Sequence, residues 1–262
     1  MSRRVSSPAG RVLIPVMVLV GFLGTWELYV DLGGVEGLIL SAPHEIAQSI
    51  YSDRALLWSN FLVTGQEVVF GIALAAVAGL VLAIAIHLIR PLRSAFYPLV
   101  VASQTVPVPI LAPLLMLWFG FGILPKVIVI ALVSFFSIVV ATLDALAAVD
   151  TQLIKLMRTF DASRWCTLRE IELPAALPGV FTGAKIAVAV AVIGAVIGEM
   201  TGGSNAGLGY LFLISLNQIL TPRAYATVVI LSLFAIVLFA LLSLCERLAL
   251  PWVHQSREER SL

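Results

Sequence analysis

Long apolar runs alternate with short polar ones along almost the whole chain. Val12 to Val30, Phe61 to His87, Phe96 to Phe119, Val127 to Leu146, Gly179 to Met200 and Ala224 to Leu244 are each close to the ~20 residues that a helix needs to cross a hydrocarbon core. The pattern predicts an all-α, polytopic membrane protein with six transmembrane helices, spanning about 12–30, 61–87, 96–119, 127–146, 179–200 and 224–244. A signal peptide would also place Arg3 and Arg4 before an apolar run, but this run is too long for one and no A-x-A cleavage site follows it. Between the first two spans, Ser41 ahead of Pro43 and Glu45 has the form of a helix start, so a short interfacial helix is expected outside the membrane. Gly65, Gly71 and Gly79, set among alanines, give the second span a small-residue face on which another helix can pack.

Composition agrees with the pattern: 60% of residues are hydrophobic and only 12% charged, more apolar surface than a soluble domain of this length can bury. Thirteen of the sixteen Lys and Arg fall on one side of a six-span topology, against Arg54, Lys126 and Arg223 on the other. The excess of basic residues marks the cytoplasmic side. Both termini (1–11 and 251–262) and the segment 150–178 are therefore expected inside, with 12–250 forming one transmembrane domain. Cys166 and Cys245 stand far apart, and His44, His87 and His254 are scattered, so neither a disulfide nor a metal centre is expected.

The segment 150–178, DTQLIKLMRTFDASRWCTLREIELPAALP, is a charged island between apolar runs. Leu153, Ile154, Leu156, Met157 and Phe160 fall on one stripe of a helix whose other side carries Gln152, Lys155, Arg158 and Thr159. A second short helix starts near Asp161 or Ser163, with Trp165, Leu168 and Ile171 at steps of three, and Pro174 is expected to stop it. Two such helices make a knuckle. Its apolar side has two possible partners: lipid headgroups and the protein's own helix ends, or a groove in a soluble protein.

The island resembles the EAA loop of permease subunits of type I ABC importers, in which EAA is followed after three residues by Gly and after nine more by I-x-L-P. Lys155-Leu156-Met157, Asp161 and Ile171-Glu172-Leu173-Pro174 fall on that spacing, and RTFDASRW is similar to RTLGASRW. Lys155 to Met157 and Asp161 depart from the usual letters. QTVPVPILAPLLMLWFGFGILPK and VIGAVIGEMTGGSNAGLGYLF resemble the nitrate, sulfonate, taurine and thiamine-pyrimidine branch, so the likeness covers residues 10 to 254. It implies the type I permease fold in a bacterial inner membrane. It also implies an ATPase-docking coupling loop carried by Lys155, Leu156, Met157, Phe160, Asp161, Ala162, Ser163, Arg164, Ile171, Leu173 and Pro174.

The implied partners are a second permease copy in a homodimer, two cytoplasmic ABC ATPase subunits and an extracytoplasmic solute-binding protein, with lipid around the spans and no nucleic acid. ATP and magnesium would be held by the ATPase, because this chain has no G-x-x-x-x-G-K-[ST] loop and is expected to bind no cofactor and to catalyse no reaction. Pro107, Pro109 and Pro113 each remove a backbone donor from the third span, which lipid tolerates only where the break is buried in protein or lines a wet cavity; a simple packing kink is the other possibility. With Gln104, Gly194, Gly198 and Glu199 they form the candidate solute route. Glu27, Glu67 and Glu199 lie toward outer helix ends, where water is expected to reach them. The tail ERLALPWVH and QILTPRAYA look closest to pyrimidine-precursor permeases, favouring a heterocycle over nitrate, a sulfonate or taurine. An ion-coupled secondary transporter or a non-transporting membrane subunit are the alternatives of another class.

Overall fold

The structure, a computed structural model, describes residues 8–33, 39–89, 107–201 and 204–252. They form α1 (Pro8–Asp31), α2 (Pro43–Ser52), α3 (Arg54–Leu88), α4 (Val108–Phe119), α5 (Ile123–Ala147), α6 (Thr151–Thr159), α7 (Arg164–Thr167), a π turn (Leu168–Glu172), α8 (Leu173–Thr201), α9 (Leu208–Asn217) and α10 (Thr221–Ala249), with no strand among the described residues. Five helical stretches are long and apolar enough to cross a membrane: Leu13–Asp31, Arg54–Leu88, Ile123–Ala147, Arg164–Thr201 and Thr221–Ala249. They coincide with five of the six expected spans. The remaining one, 96–119, is described only from Pro107 onward, as α4 with the residue before it.

Two lengths differ from the apolar runs. Helix α3 has 35 residues, about 50 Å at 1.5 Å per residue against a hydrocarbon core of about 30 Å, so its polar first turns continue the helix beyond the apolar run. Pro174 does not stop the knuckle's second helix: α7, the π turn and α8 run on as one 38-residue stretch. The π turn accounts for this. The Leu173 N–H bonds to the Leu168 carbonyl, five residues back, and the widened turn gives the Pro174 ring room that an α-turn would deny it.

The chain divides into two compact units, residues 1–59 with 211–230 and residues 60–210 with 231–262. In the first, α2 begins where Ser41, Pro43 and Glu45 predict a helix start. The Glu45 carboxylate accepts from the Ala42 N–H at 3.0 Å, tying down its first turn. Asp53, just past its end, takes two bonds from the Arg223 guanidinium at 2.8 and 3.2 Å, the fork geometry that suits Arg and carboxylate.

Glu27, in the last turns of α1, accepts from both the backbone N–H and the ring Nδ1 of His44. That hydrogen bond, with the nearby charges of Glu27, Asp31 and Glu45, holds the exposed His44 imidazole above its usual pKa of 6.5. A raised folded-state value means that the pair's stabilisation is complete below pH 6.5 and fades as pH rises through the higher value. Amide protection in α2, taken as the ratio of intrinsic to observed exchange rate at each pH, is therefore expected to fall across that window in the wild type and to show no such step in His44→Gln. A wild-type profile flat across the same window would remove the charged pair from the account.

In the second unit α5 and α8 form the main pairing, and α4 packs on both. Small residues let the backbones approach: a Cβ on Gly183 would meet the Ala141 Cβ at 2.7 Å and the Ser137 carbonyl at 2.8 Å, and one on Gly194 would meet Val133 at 2.7 Å. Gly71 and Gly79 of α3 likewise abut Ile130 and Ile138 of α5, as the small-residue face of that span predicts. Ala75, Ala131, Ile138 and Ala187 close this core. At the end of the bundle next to α6, Leu146, Leu168 and Ala176 are buried with Ile84 and Leu88 packed against them.

Candidate functional site

The knuckle is built by two local signals. Asp150 caps α6, its side chain accepting from the Gln152 N–H at 2.8 Å, which satisfies one of the donors a helix start leaves free. At the other end the Ala162 N–H bonds the Met157 carbonyl and the Asp161 N–H the Arg158 carbonyl, both at 3.1 Å. This is the Schellman pattern, and it requires a left-handed residue between the two helices. Asp161 is that residue, at φ +52°. Glycine adopts this conformation without cost, and Asp is among the few others that enter it. Ser163 then caps α7, accepting from the Cys166 N–H at 3.2 Å. The departure from the usual Gly therefore leaves the turn itself in place.

No residue of α6 is buried. Leu153, Leu156, Phe160 and Trp165 stand exposed, Phe160 at 74%, while Ile154 and Met157 are partly covered. Lys155, Ala162, Ser163 and Arg164 surround this apolar crest. Ile171, Leu173 and Pro174 lie at or beyond the π turn and are partly buried, so they root the knuckle rather than form its surface.

Of the candidate route residues, Gln104 lies outside the described residues. Pro107 caps α4 in an extended conformation, and Pro109 sits in its first turn, where a missing N–H costs nothing. Pro113 is inside the helix. Gly194 lines a cavity of about 380 Å³ between α4, α5 and α8, together with Val108, Leu111, Phe136, Ser137 and Ile197. Among the described residues the lining carries no charged side chain, and its one side-chain hydroxyl is Ser137. Gly198 is buried in α8, facing Val129 of α5 at the limit of van der Waals contact.

Glu199 has a different setting from the one its position suggests. It is 1% exposed, as is Glu67, so water does not reach either; only Glu27 of the three outer carboxylates is partly exposed. Glu199 Oε2 accepts from the Gly209 N–H at 2.6 Å and Oε1 from the Thr64 hydroxyl at 2.7 Å. The Thr64 hydroxyl oxygen accepts from the Leu208 N–H, and the Asn60 side-chain oxygen from the Gly207 N–H, both at 2.8 Å. Three successive free donors at the start of α9 are thus satisfied, and a carboxylate lies at the positive end of the helix. Gly207 fits here because its φ is +116° and a Cβ would collide with the Glu199 carboxylate.

Beside this cap, the Lys126 ammonium donates to Glu67 Oε1 at 2.6 Å and to the Ser204 hydroxyl at 2.8 Å, with Lys126 only 7% exposed. Lys126 is the residue that sequence reasoning left as one more outer cation. A single Lys opening an otherwise apolar span, paired in number with the lone Glu67, was the signal available.

Glu27, Asp31 and His44 bring possible metal-ligand atoms within 4.8 Å of one another, but two of the three are exposed. The His44–Glu27 hydrogen bonds account for their approach.

Residues 71–254 match the family described as binding-protein-dependent transport system inner membrane component. The chain is 35% identical over 240 residues to the formylaminopyrimidine transport permease protein ThiX of Halalkalibacterium halodurans, covering 92% of this chain and 96% of that protein. It is 35% identical over 252 residues to the riboflavin transport system permease protein RibX of Chloroflexus aurantiacus, covering 95% and 92%. Among solved structures, an amino acid ABC transporter crystallised with histidines superimposes at a TM-score of 0.60 with 18% identity, over 76% of this chain and 97% of that one; at that identity the likeness speaks for the fold alone. With its all-helical fold and apolar spans, the chain belongs to the binding-protein-dependent inner membrane transport components and is a permease subunit of an ABC importer for small solutes.

Proposed function

We propose that the chain forms, with a second copy of itself, the alternating-access pathway of an importer driven by a separate cytoplasmic ATPase, and that both termini lie in the cytoplasm. The observation that carries this reading is the knuckle: a fully capped pair of short helices whose apolar crest, Leu153, Leu156, Phe160 and Trp165, stands exposed among the described residues. An amphipathic helix of this kind is stabilised by laying its apolar side in a groove. The ATPase supplies that groove, and ATP-driven closure of two ATPase subunits moves two knuckles together. A solute-binding protein delivers the cargo from outside.

Phe160→Asp tests the docking. A tagged permease carrying it should insert in the membrane as the wild type does and retain about tenfold less ATPase on purification, the scale of losing one buried aromatic anchor. Undiminished retention of the ATPase would remove the docking role.

A small uncharged heterocycle is the favoured cargo. Support comes from the cavity beside Gly194, whose lining among the described residues is apolar apart from Ser137; an anion stripped of water against such a wall loses its hydration without compensation. Two relatives with heterocyclic substrates in their names point the same way. Uptake of radiolabelled formylaminopyrimidine into vesicles, competed by riboflavin but not by taurine or an alkanesulfonate, is the expected result. The reverse order of competition would overturn it.

A further inference from the structure

The knuckle is joined to α8 by the chain itself, but the joint is soft. At the π turn the Leu173 N–H reaches the Leu168 carbonyl, and the next residue, Pro174, has no N–H to offer, so the regular α-helical ladder is interrupted where knuckle becomes span. A push delivered along this backbone alone would bend the helix at the π turn.

Two side-chain ties bridge from the same place to the last turn of α3. His87 Nε2 and Glu172 Oε2 are 2.8 Å apart, with Glu172 in the π turn and 7% exposed. The Arg164 guanidinium donates to the Leu88 carbonyl at 3.0 Å, filling one of the acceptors a helix end leaves free and placing a cation at its negative pole. Leu168 is completely buried in the core to which Ile84 and Leu88 also belong. A small cavity of about 80 Å³, lined by His87, Ile154, Arg158, Arg164, Thr167 and Glu172, lies around the ties.

We propose that His87, Glu172 and Arg164 are positioning residues that carry movement of the knuckle to α3, so that one docking event drives two spans. The π turn is the swivel and the ties are the link across it. This inference rests on the knuckle docking the ATPase, and it adds which helix receives the stroke.

The test uses the assembled transporter in nanodiscs, with Cys166 and Cys245 replaced by Ser. Spin labels are placed at Ile89, just past α3, or at Ala175 in α8, and the distance between the two permease copies is measured with and without ATP under conditions that block hydrolysis. In the wild type both distances change. In Glu172→Ala combined with His87→Leu, which leaves Arg164 and the rest of the docking loop as they are, the change at Ala175 persists and that at Ile89 falls to about half or less. The ATP consumed per solute carried rises by about threefold to tenfold, a measure that a merely structural role would not move.

Glu172→Gln, which keeps an oxygen acceptor for His87, restores the Ile89 change when His87 is intact. An Ile89 change of wild-type size in the double variant overturns the link while leaving docking intact. Loss of both changes together in that variant also overturns it, because movement would then not divide at the π turn. Absence of any change in the wild type removes the docking reading and this inference with it.

Discussion

Asp161→Pro should all but abolish uptake while leaving the permease in the membrane. Proline holds φ near −65°, whereas residue 161 stands at +52°, and its N–H is one of the two that close the turn after α6. Both the conformation and the bond are lost, a penalty of roughly 3 kcal/mol or more on the docking-competent knuckle. That corresponds to about a hundredfold fewer competent loops. Asp161→Gly is the counterpart: it removes the left-handed strain of about 1 kcal/mol and should transport at least as well as the wild type. Initial uptake rates and the yield of detergent-extracted permease measure the two effects separately. Equal uptake in the Pro and Gly variants would show that the turn's geometry does not matter to coupling.

The second large effect concerns Lys126. Its ammonium is the hydrogen-bond donor to Glu67, whose other oxygen, Oε2, is buried without a partner among the described residues. Lys126→Met takes the ammonium away from the Glu67 carboxyl group and leaves that group buried beside the Glu199 carboxyl group, at a cost of about 3–5 kcal/mol. The apparent melting temperature in detergent should fall by roughly 10 °C, with fluorescence-detected gel filtration after heating as the measurement. Adding Glu67→Gln to Lys126→Met should recover most of the loss, because a neutral pair has little desolvation to repay. A double variant no more stable than Lys126→Met would place the cost in packing rather than in charge.

How much of this was legible in the sequence depended on how far apart the cooperating residues lie. Apolar runs report membrane-crossing length directly, and the described helices follow them. The knuckle is equally local: Asp150, Asp161 and Ser163 act on backbone groups within five residues of themselves, so spacing alone exposes it. Pro174 misled because a helix stop is the common outcome at proline, and the π turn that accommodates it has no separate signature in the letters. The network around Glu67 and Glu199 could not be read along the chain. Glu67 and Lys126 are 59 positions apart and Thr64 and Glu199 are 135 apart, so only folding shows that Glu199 serves the start of α9 and does not face water.

The cavity beside Gly194 and the burial of Glu199 separate two candidate route residues into different settings. Ser137 lines the cavity, whereas a substitution at Glu199 acts first on whether the end of α8 holds Thr64 and the start of α9.

The glycine contacts between α5 and α8 set a condition on any conformational cycle. Gly183 and Gly194 each leave less than a methyl group's clearance to the facing helix, and they are three helical turns apart. A shift of α8 along α5 by even one residue would bring side chains into spaces sized for hydrogen atoms. These two helices must therefore travel as a single rigid plate. Helix α3 is held to the same plate, because a Cβ on Gly71 would collide with Ile130 of α5 and one on Gly79 would crowd Ile138.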